Sequence, residues 1–169
     1  MAKTQPEQKP HRSKQNYRTP SDFFGAANEL FGPFELDLAA VDGTLCRNWL
    51  GPGSELAEDS LSVSWIERVN FLTAGRPAPV VCWLNPPFAD IRPWARKCAQ
   101  EASRDRRIVM LTPSSLGAEW YCDAVQGHAL TLVVRPRITF VGCDDPYPKD
   151  LAIHLFGFRM VGIGTWRWK

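Results

Sequence analysis

The sequence predicts an α/β fold, a mostly parallel sheet flanked by helices, on three observations. Four apolar runs, 80–84, 108–111, 130–134 and 152–158, are continuous rather than alternating, the pattern of strands covered on both faces. Stretches with apolar residues three and four apart lie between several of them, as helices would. Strand and helix signals thus succeed one another along the chain, the arrangement that builds crossover units and a parallel sheet.

Taken in order, ordered structure is expected to begin near Tyr17. Ser21 is a candidate cap for a helix whose apolar positions are Phe23, Ala27, Leu30 and Phe31, stopped by Gly32-Pro33. A short strand over 34–38 places Asp37 near its carboxyl end. The stretch 42–62 is rich in Gly, Pro and polar residues and reads as irregular, with at most a turn of helix near 46–49; long connections of this kind tend to carry function. Strand 80–84 must end at Asn85-Pro86-Pro87, since consecutive prolines cannot join a ladder. A helix follows with Asp90 as candidate cap, Pro93 in its first turn, and Ile91, Trp94, Ala95, Cys98, Ala99 and Ala102 on one apolar face. Arg92, Arg96, Gln100 and Ser103 fall on the other side. Strand 108–111 leads through Thr-Pro-Ser-Ser to a helix near 118–125 and then to the last two apolar runs. Ligands of such sheets bind outside the carboxyl ends of strands, where Asp37 and Asn85 both belong.

The 169 residues, 44% hydrophobic, suit one domain, expected over 17–169. The first eighteen residues hold Lys3, Lys9, Arg12, Lys14 and Arg18 against Glu7, so the remainder of a chain of net charge +2 carries about −2. Residues 1–16 are expected to be a disordered basic tail, either solubilising or reaching for phosphates. Bulk charge therefore does not mark a nucleic-acid binder, and local patches must serve. No apolar stretch reaches eighteen residues and no secretory block opens the chain, so a soluble protein of the cytoplasm is expected. The five cysteines and three histidines lack ligand spacing; buried free thiols and no metal are the expectation. Trp65, Trp83 and Trp94 are expected in the core.

Chemistry concentrates in Asn85-Pro86-Pro87-Phe88. An exocyclic aromatic amine is a poor nucleophile because its lone pair is delocalised into the ring. Accepting both of its N–H hydrogens favours a pyramidal, attacking nitrogen and disperses the positive charge that develops. The Asn85 side-chain oxygen and the Pro86 carbonyl are two such acceptors, the prolines stiffen the turn that carries them, and Phe88 offers a flat face to an extruded base.

This tetrapeptide is similar to the Asn/Asp-Pro-Pro-Tyr/Phe motif of amino-methyltransferases. With Tyr17-Arg18-Thr19-Pro20, the 34–40 segment Phe-Glu-Leu-Asp-Leu-Ala-Ala, Glu58-Asp59-Ser60-Leu61 followed by Trp65, Trp94, and Arg137-Ile138-Thr139-Phe140, the chain resembles the phage-type DNA N6-adenine methyltransferases of the Dam group. The resemblance implies a Rossmann-like fold that binds S-adenosylmethionine, with methyl transfer to the N6 amine of adenine in DNA by base flipping. It assigns catalysis to Asn85, Pro86, Pro87 and Phe88, and the cofactor to Tyr17, Thr19, Pro20, Asp37, Ala39, Asp59 and Asn85. Phe88, Arg92, Arg96 and Arg137 are the candidates for contact with DNA. It also implies a role in shielding phage DNA, in the host cytoplasm. Cytosine N4, RNA and a protein amide are alternative substrates for the same acceptor pair, and a non-catalytic nucleic-acid-binding module is the alternative of another class. No separate block has the size of a recognition domain, so sequence preference is expected to be loose or to come from segments 41–62 and 66–79.

Overall fold

A computed structural model describes residues 17–40, 44–74 and 79–169; the tail 1–16 lies outside the described residues. Seven strands, β1 (Phe34–Asp37), β2 (Asn48–Trp49), β3 (Val80–Leu84), β4 (Arg106–Pro113), β5 (Ala129–Arg135), β6 (Leu151–Phe156) and β7 (Gly162–Arg167), form one sheet in the order β2-β1-β3-β4-β6-β5-β7. Four neighbouring pairs are parallel, and only β6 runs against its two neighbours, β4 and β5. The sheet is thus mostly parallel and flanked by helices. Because β6 alone is reversed, the carboxyl ends of all the other strands share one rim.

Helices cover both faces unequally. α2 (Trp65–Leu72), α3 (Arg92–Glu101) and α4 (Glu119–Ala124) pack on one face through Trp65, Val69, Ala95, Cys98 and Ala124. α1 (Ser21–Phe31) covers the other with Phe23 and Ala27, joined by Ile138 and Phe140 from the segment after β5. The continuous apolar strands divide between these layers: in β3, Cys82 and Leu84 face α3 while Val81 and Trp83 face α1. Trp65 and Trp83 are buried, and Trp94 is half-buried, stacked 6.3 Å from Trp65.

Several local expectations are corrected. Ser21 is the first helical residue rather than the cap, which is Pro20, and Asp22 accepts from the neighbouring Phe23 amide instead. Asp90 is likewise displaced: Ile91 is the cap of α3, already in helical geometry, and its carbonyl takes the Ala95 amide. The expected turn of helix near 46–49 is the short strand β2, drawn out of the loop by pairing with β1. β1 stops at Asp37, one residue early, because Leu38 turns to bond the Trp83 carbonyl. Segment 66–79 holds most of α2, begun by the Ser64 side chain accepting from Glu67. β7 was not foreshadowed in the apolar pattern. The thiols of Cys46, Cys82 and Cys98 are buried and free, but Cys122 is exposed and Cys143, at the margin of the α1 layer, is half-buried.

Candidate active site

The parallel register sets Asp37 beside Trp83, two residues before Asn85, so the ends of β1 and β3 bring both side chains to one pocket. This pocket, open to solvent, is also lined by Tyr17, Thr19, Ala39, Pro86 and Pro87. Its floor is held by backbone bonds from Leu38 to Trp83, from Leu50 to Asp37 and from Ala40 to Leu50. Gly51 makes that closeness possible. Its φ is +142°, and a Cβ there would collide with the Ala40 carbonyl.

Asn85 carries the most informative hydrogen bonds. Its Nδ2 donates to the Tyr17 carbonyl at 2.6 Å and to Thr19 Oγ1 at 3.1 Å. A backbone carbonyl can only accept, so the amide nitrogen must face Tyr17 and the oxygen must point away from it. That oxygen, Oδ1, is buried and has no partner among the described residues. Buried acceptors are seldom left unpaired, and an exception at a rim pocket marks a position prepared for a donor.

Asp37 is buried, and burial pushes its carboxyl up from 3.8 to about 6 despite the Ala39 amide at 3.1 Å and the Thr44 hydroxyl at 2.8 Å, both of which favour the ionised form. Thr44 is a pocket residue the sequence pattern did not reveal; it sits in the long loop after β1 and its Oγ1 also accepts from the Cys46 amide. Leu45 joins the lining from the same loop, Phe24 from α1, and Arg18 from the segment before it.

Other candidates lie elsewhere. Pro20 caps α1 and does not line the pocket. Asp59 caps a short 3-10 turn, Ser60–Ser62, accepting from the Leu61 amide, and is also absent from the lining. Phe88 belongs to an aromatic group with Tyr17, Phe140 and Tyr147, at ring separations of 5.5, 6.0 and 5.7 Å. Tyr17 belongs to both places, its backbone holding Asn85 and its ring beside Phe88. Arg92 is ion-paired to Glu119 and Arg137 to Asp150, while Arg96 is exposed on α3.

The pocket has the chemistry for a cationic nucleoside-type cofactor: its walls are partly apolar and its buried charged group is an acid. Among solved structures, a predicted O-methyltransferase from Agrobacterium tumefaciens is similar with a TM-score of 0.38 and 16% identity over 78% of each chain. No curated protein matches the sequence. The model of the family described as DNA N-6-adenine-methyltransferase (Dam) matches residues 7–152, which include every pocket residue named above. The chain therefore belongs to the Dam DNA N-6-adenine-methyltransferase family, and it is an enzyme that methylates the N6 amine of adenine in DNA with an S-adenosylmethionine-type donor.

Proposed function

We propose that S-adenosylmethionine occupies the pocket between the ends of β1 and β3, and that Asn85 Oδ1 and the Pro86 carbonyl accept hydrogen bonds from the two N6–H groups of an extruded adenine. The unpartnered Asn85 Oδ1 carries this reading. When bound, the cofactor supplies a methyl group on a positively charged sulfur, open to displacement by a nitrogen lone pair. Asp37 gives that charge a buried partner, and Arg18 offers a cation to the carboxylate at the amino-acid end. Tyr17 and Thr19 hold the Asn85 amide so that only its oxygen is free to accept, which removes the reorganisation the side chain would otherwise undergo during reaction. Because Oδ1 is shut off from solvent, the adenine must displace protein atoms to reach it, and the Tyr17 ring beside Phe88 stands where a stacked base would go. Asp59, Pro20 and the arginines 92, 96 and 137 are secondary candidates, outside the pocket.

The enzyme's compartment is that of its DNA, the cytoplasm, or the host cytoplasm for a phage-encoded chain; no helix among the described residues is long and apolar enough to cross a membrane. Asn85→Ala is expected to lower the rate of methyl transfer to adenine in duplex DNA by roughly two to three orders of magnitude, the effect of losing one pre-organised hydrogen-bonding group. Phe88→Ala is expected to raise the apparent KM for DNA with a smaller effect on kcat, since stacking is worth about 1 to 3 kcal/mol per base. Nucleoside mass spectrometry of the methylated DNA reads both. A folded, cofactor-binding Asn85→Ala protein that forms N6-methyladenine at the parental rate overturns the mechanism.

A further inference from the structure

β7 carries charge to the catalytic rim. It runs parallel to β5 in register, with Arg135 opposite Arg167. β5 is antiparallel to β6, which is antiparallel to β4, so the carboxyl ends of β5 and β7 lie at the same edge of the sheet as those of β1 and β3. In-register neighbours on adjacent strands point to one face about 4.8 Å apart, so two exposed arginines are held side by side. Like charges placed across a strand pair destabilise a sheet, yet no Asp or Glu side chain is ion-paired to either among the described residues. The nearby Arg137 is instead engaged by Asp150.

The pair is also held firmly. The Trp168 amide donates to the Arg135 carbonyl at 3.0 Å, and Trp168 Nε1 donates to the Pro136 carbonyl at 2.8 Å. Arg167 Nε donates to a main-chain oxygen of Lys169, the last residue of the sequence, at 3.1 Å, and Lys169 adds a third cation, its Nζ 4.4 Å from the Trp168 ring centre and 3.8 Å from the exposed Asp22. Two exposed arginines that no described Asp or Glu side chain pairs, with a lysine whose carboxylate partner is itself exposed, have the chemistry of a phosphate-binding surface.

We infer that Arg135, Arg167 and Lys169 form a DNA-backbone contact surface that grips the duplex beside the flipped adenine. The inference rests on duplex DNA being the substrate of the Asn85 site. From β3 to β5 and β7 is three and four strand spacings, roughly 14 to 19 Å, the length of about four to six base-pair steps, so both contacts fit within one short duplex. Arg167 and Lys169 lie beyond the stretch that matches the family, 7–152.

The test measures binding of a 30-base-pair duplex DNA across a salt series, and methyl transfer on the same duplex, for the parental chain, for Arg135→Gln/Arg167→Gln and for Arg135→Lys/Arg167→Lys. Removing two phosphate contacts is expected to lower the slope of log affinity against log salt by roughly 1.8, with KM for DNA rising about ten-fold, and the Lys pair is expected to restore most of the slope. kcat and affinity for S-adenosylmethionine are expected to stay at parental values. The melting temperature of the Gln pair should be equal or higher, because like-charge repulsion is relieved; a purely structural role would lower it. An unchanged salt slope in the Gln pair overturns the inference. Absence of N6-methyladenine from parental reactions overturns the substrate reading instead, and that arm is scored on the parental chain alone.

Discussion

Asp37 is a carboxylate in a place that favours its neutral form, and the consequence can be followed in solution. Its unfolded value is 3.8 and its folded value about 6, raised by burial. Between the two, the folded chain keeps a proton that the unfolded chain has released. The stabilisation from this group is therefore full below pH 3.8 and lost as pH rises through 6, a change on the order of 3 kcal/mol against the fold at pH 7. The surrounding groups do not offset it: the Cys46 and Cys82 thiols are themselves pushed up, chiefly by burial and next by the charge of Asp37, and stay protonated. A cationic ligand beside Asp37 favours the ionised form. Affinity for S-adenosylmethionine is accordingly expected to rise with pH through about 6 and to level off above it, with proton uptake into buffer measurable by calorimetry at pH 5.5. Asp37→Asn keeps the shape and the acceptor for Ala39 but removes the charge. The free variant should be more stable than the parent at pH 8 and not at pH 4, and its cofactor affinity should be lower and flat with pH. A parental affinity that does not change between pH 5 and 7.5 would sink this account.

Among elements, β4, β5, β6 and α4 are tied together by a polar chain inside the core. Thr112 Oγ1 donates to the Pro113 carbonyl at 3.0 Å, so it must accept from His154 Nε2–H at 2.8 Å. The Tyr121 hydroxyl donates to Thr131 Oγ1 at 3.1 Å, leaving the Thr131 hydroxyl to donate to His154 Nδ1 at 2.9 Å. Every proton is assigned and the ring is neutral, its pKa lowered by burial from 6.5 to about 3. Here the sign is opposite to that of Asp37: stability from His154 is full above pH 6.5 and is lost as pH falls towards 3, on the order of 5 kcal/mol in all. His154→Leu leaves Thr131 without its acceptor and should lower stability at pH 7 by about 2 to 4 kcal/mol in urea unfolding. The gap to the parent should narrow at pH 4.5; an equal gap at both pH values refutes the neutral-ring assignment. None of this was legible in the sequence, where His154 is one histidine in an apolar run, because its partners come from strands far apart in the chain. β3 and the core of β4 were legible because both of their faces are buried, and Asp37 and Asn85 were legible because they end such strands. β7 is largely exposed or half-buried and exists by pairing with β5, so no apolar run announced it. Thr44 and Leu45 reach the pocket by loop closure, and Phe24 by the docking of α1, neither of which local spacing encodes.

The whole molecule is organised by one sheet that both apolar layers share. β3 sends Cys82 and Leu84 into the layer with α2, α3 and α4, and Val81 and Trp83 into the layer with α1; β4 divides Ile108 and Met110 from Val109 and Leu111 in the same manner. Neither layer can lose its strands without exposing the other, so we expect residues 17–169 to unfold in one cooperative step. The proposed cofactor pocket spans the same unit, since Asn85 ends β3, Asp37 ends β1, and the Tyr17 to Thr19 strap is fastened to Asn85. A ligand held there stabilises the entire transition by mass action rather than one part of it. At a hundred times its Kd, S-adenosylmethionine should add about 2.7 kcal/mol, which for a chain of this size is a rise in Tm of roughly 5 to 10 °C. Tryptophan fluorescence reports on Trp83 under α1 and Trp65 on the opposite face, and far-ultraviolet dichroism reports on the sheet and helices together. The two melting curves should coincide without cofactor and move together with it. For Asp37→Asn the shift should be smaller at the same concentration, because the affinity is lower. Two separated transitions, or a cofactor shift seen by only one of the two probes, would show that the α1 layer and the α2 to α4 layer melt independently and that the pocket belongs to only one of them.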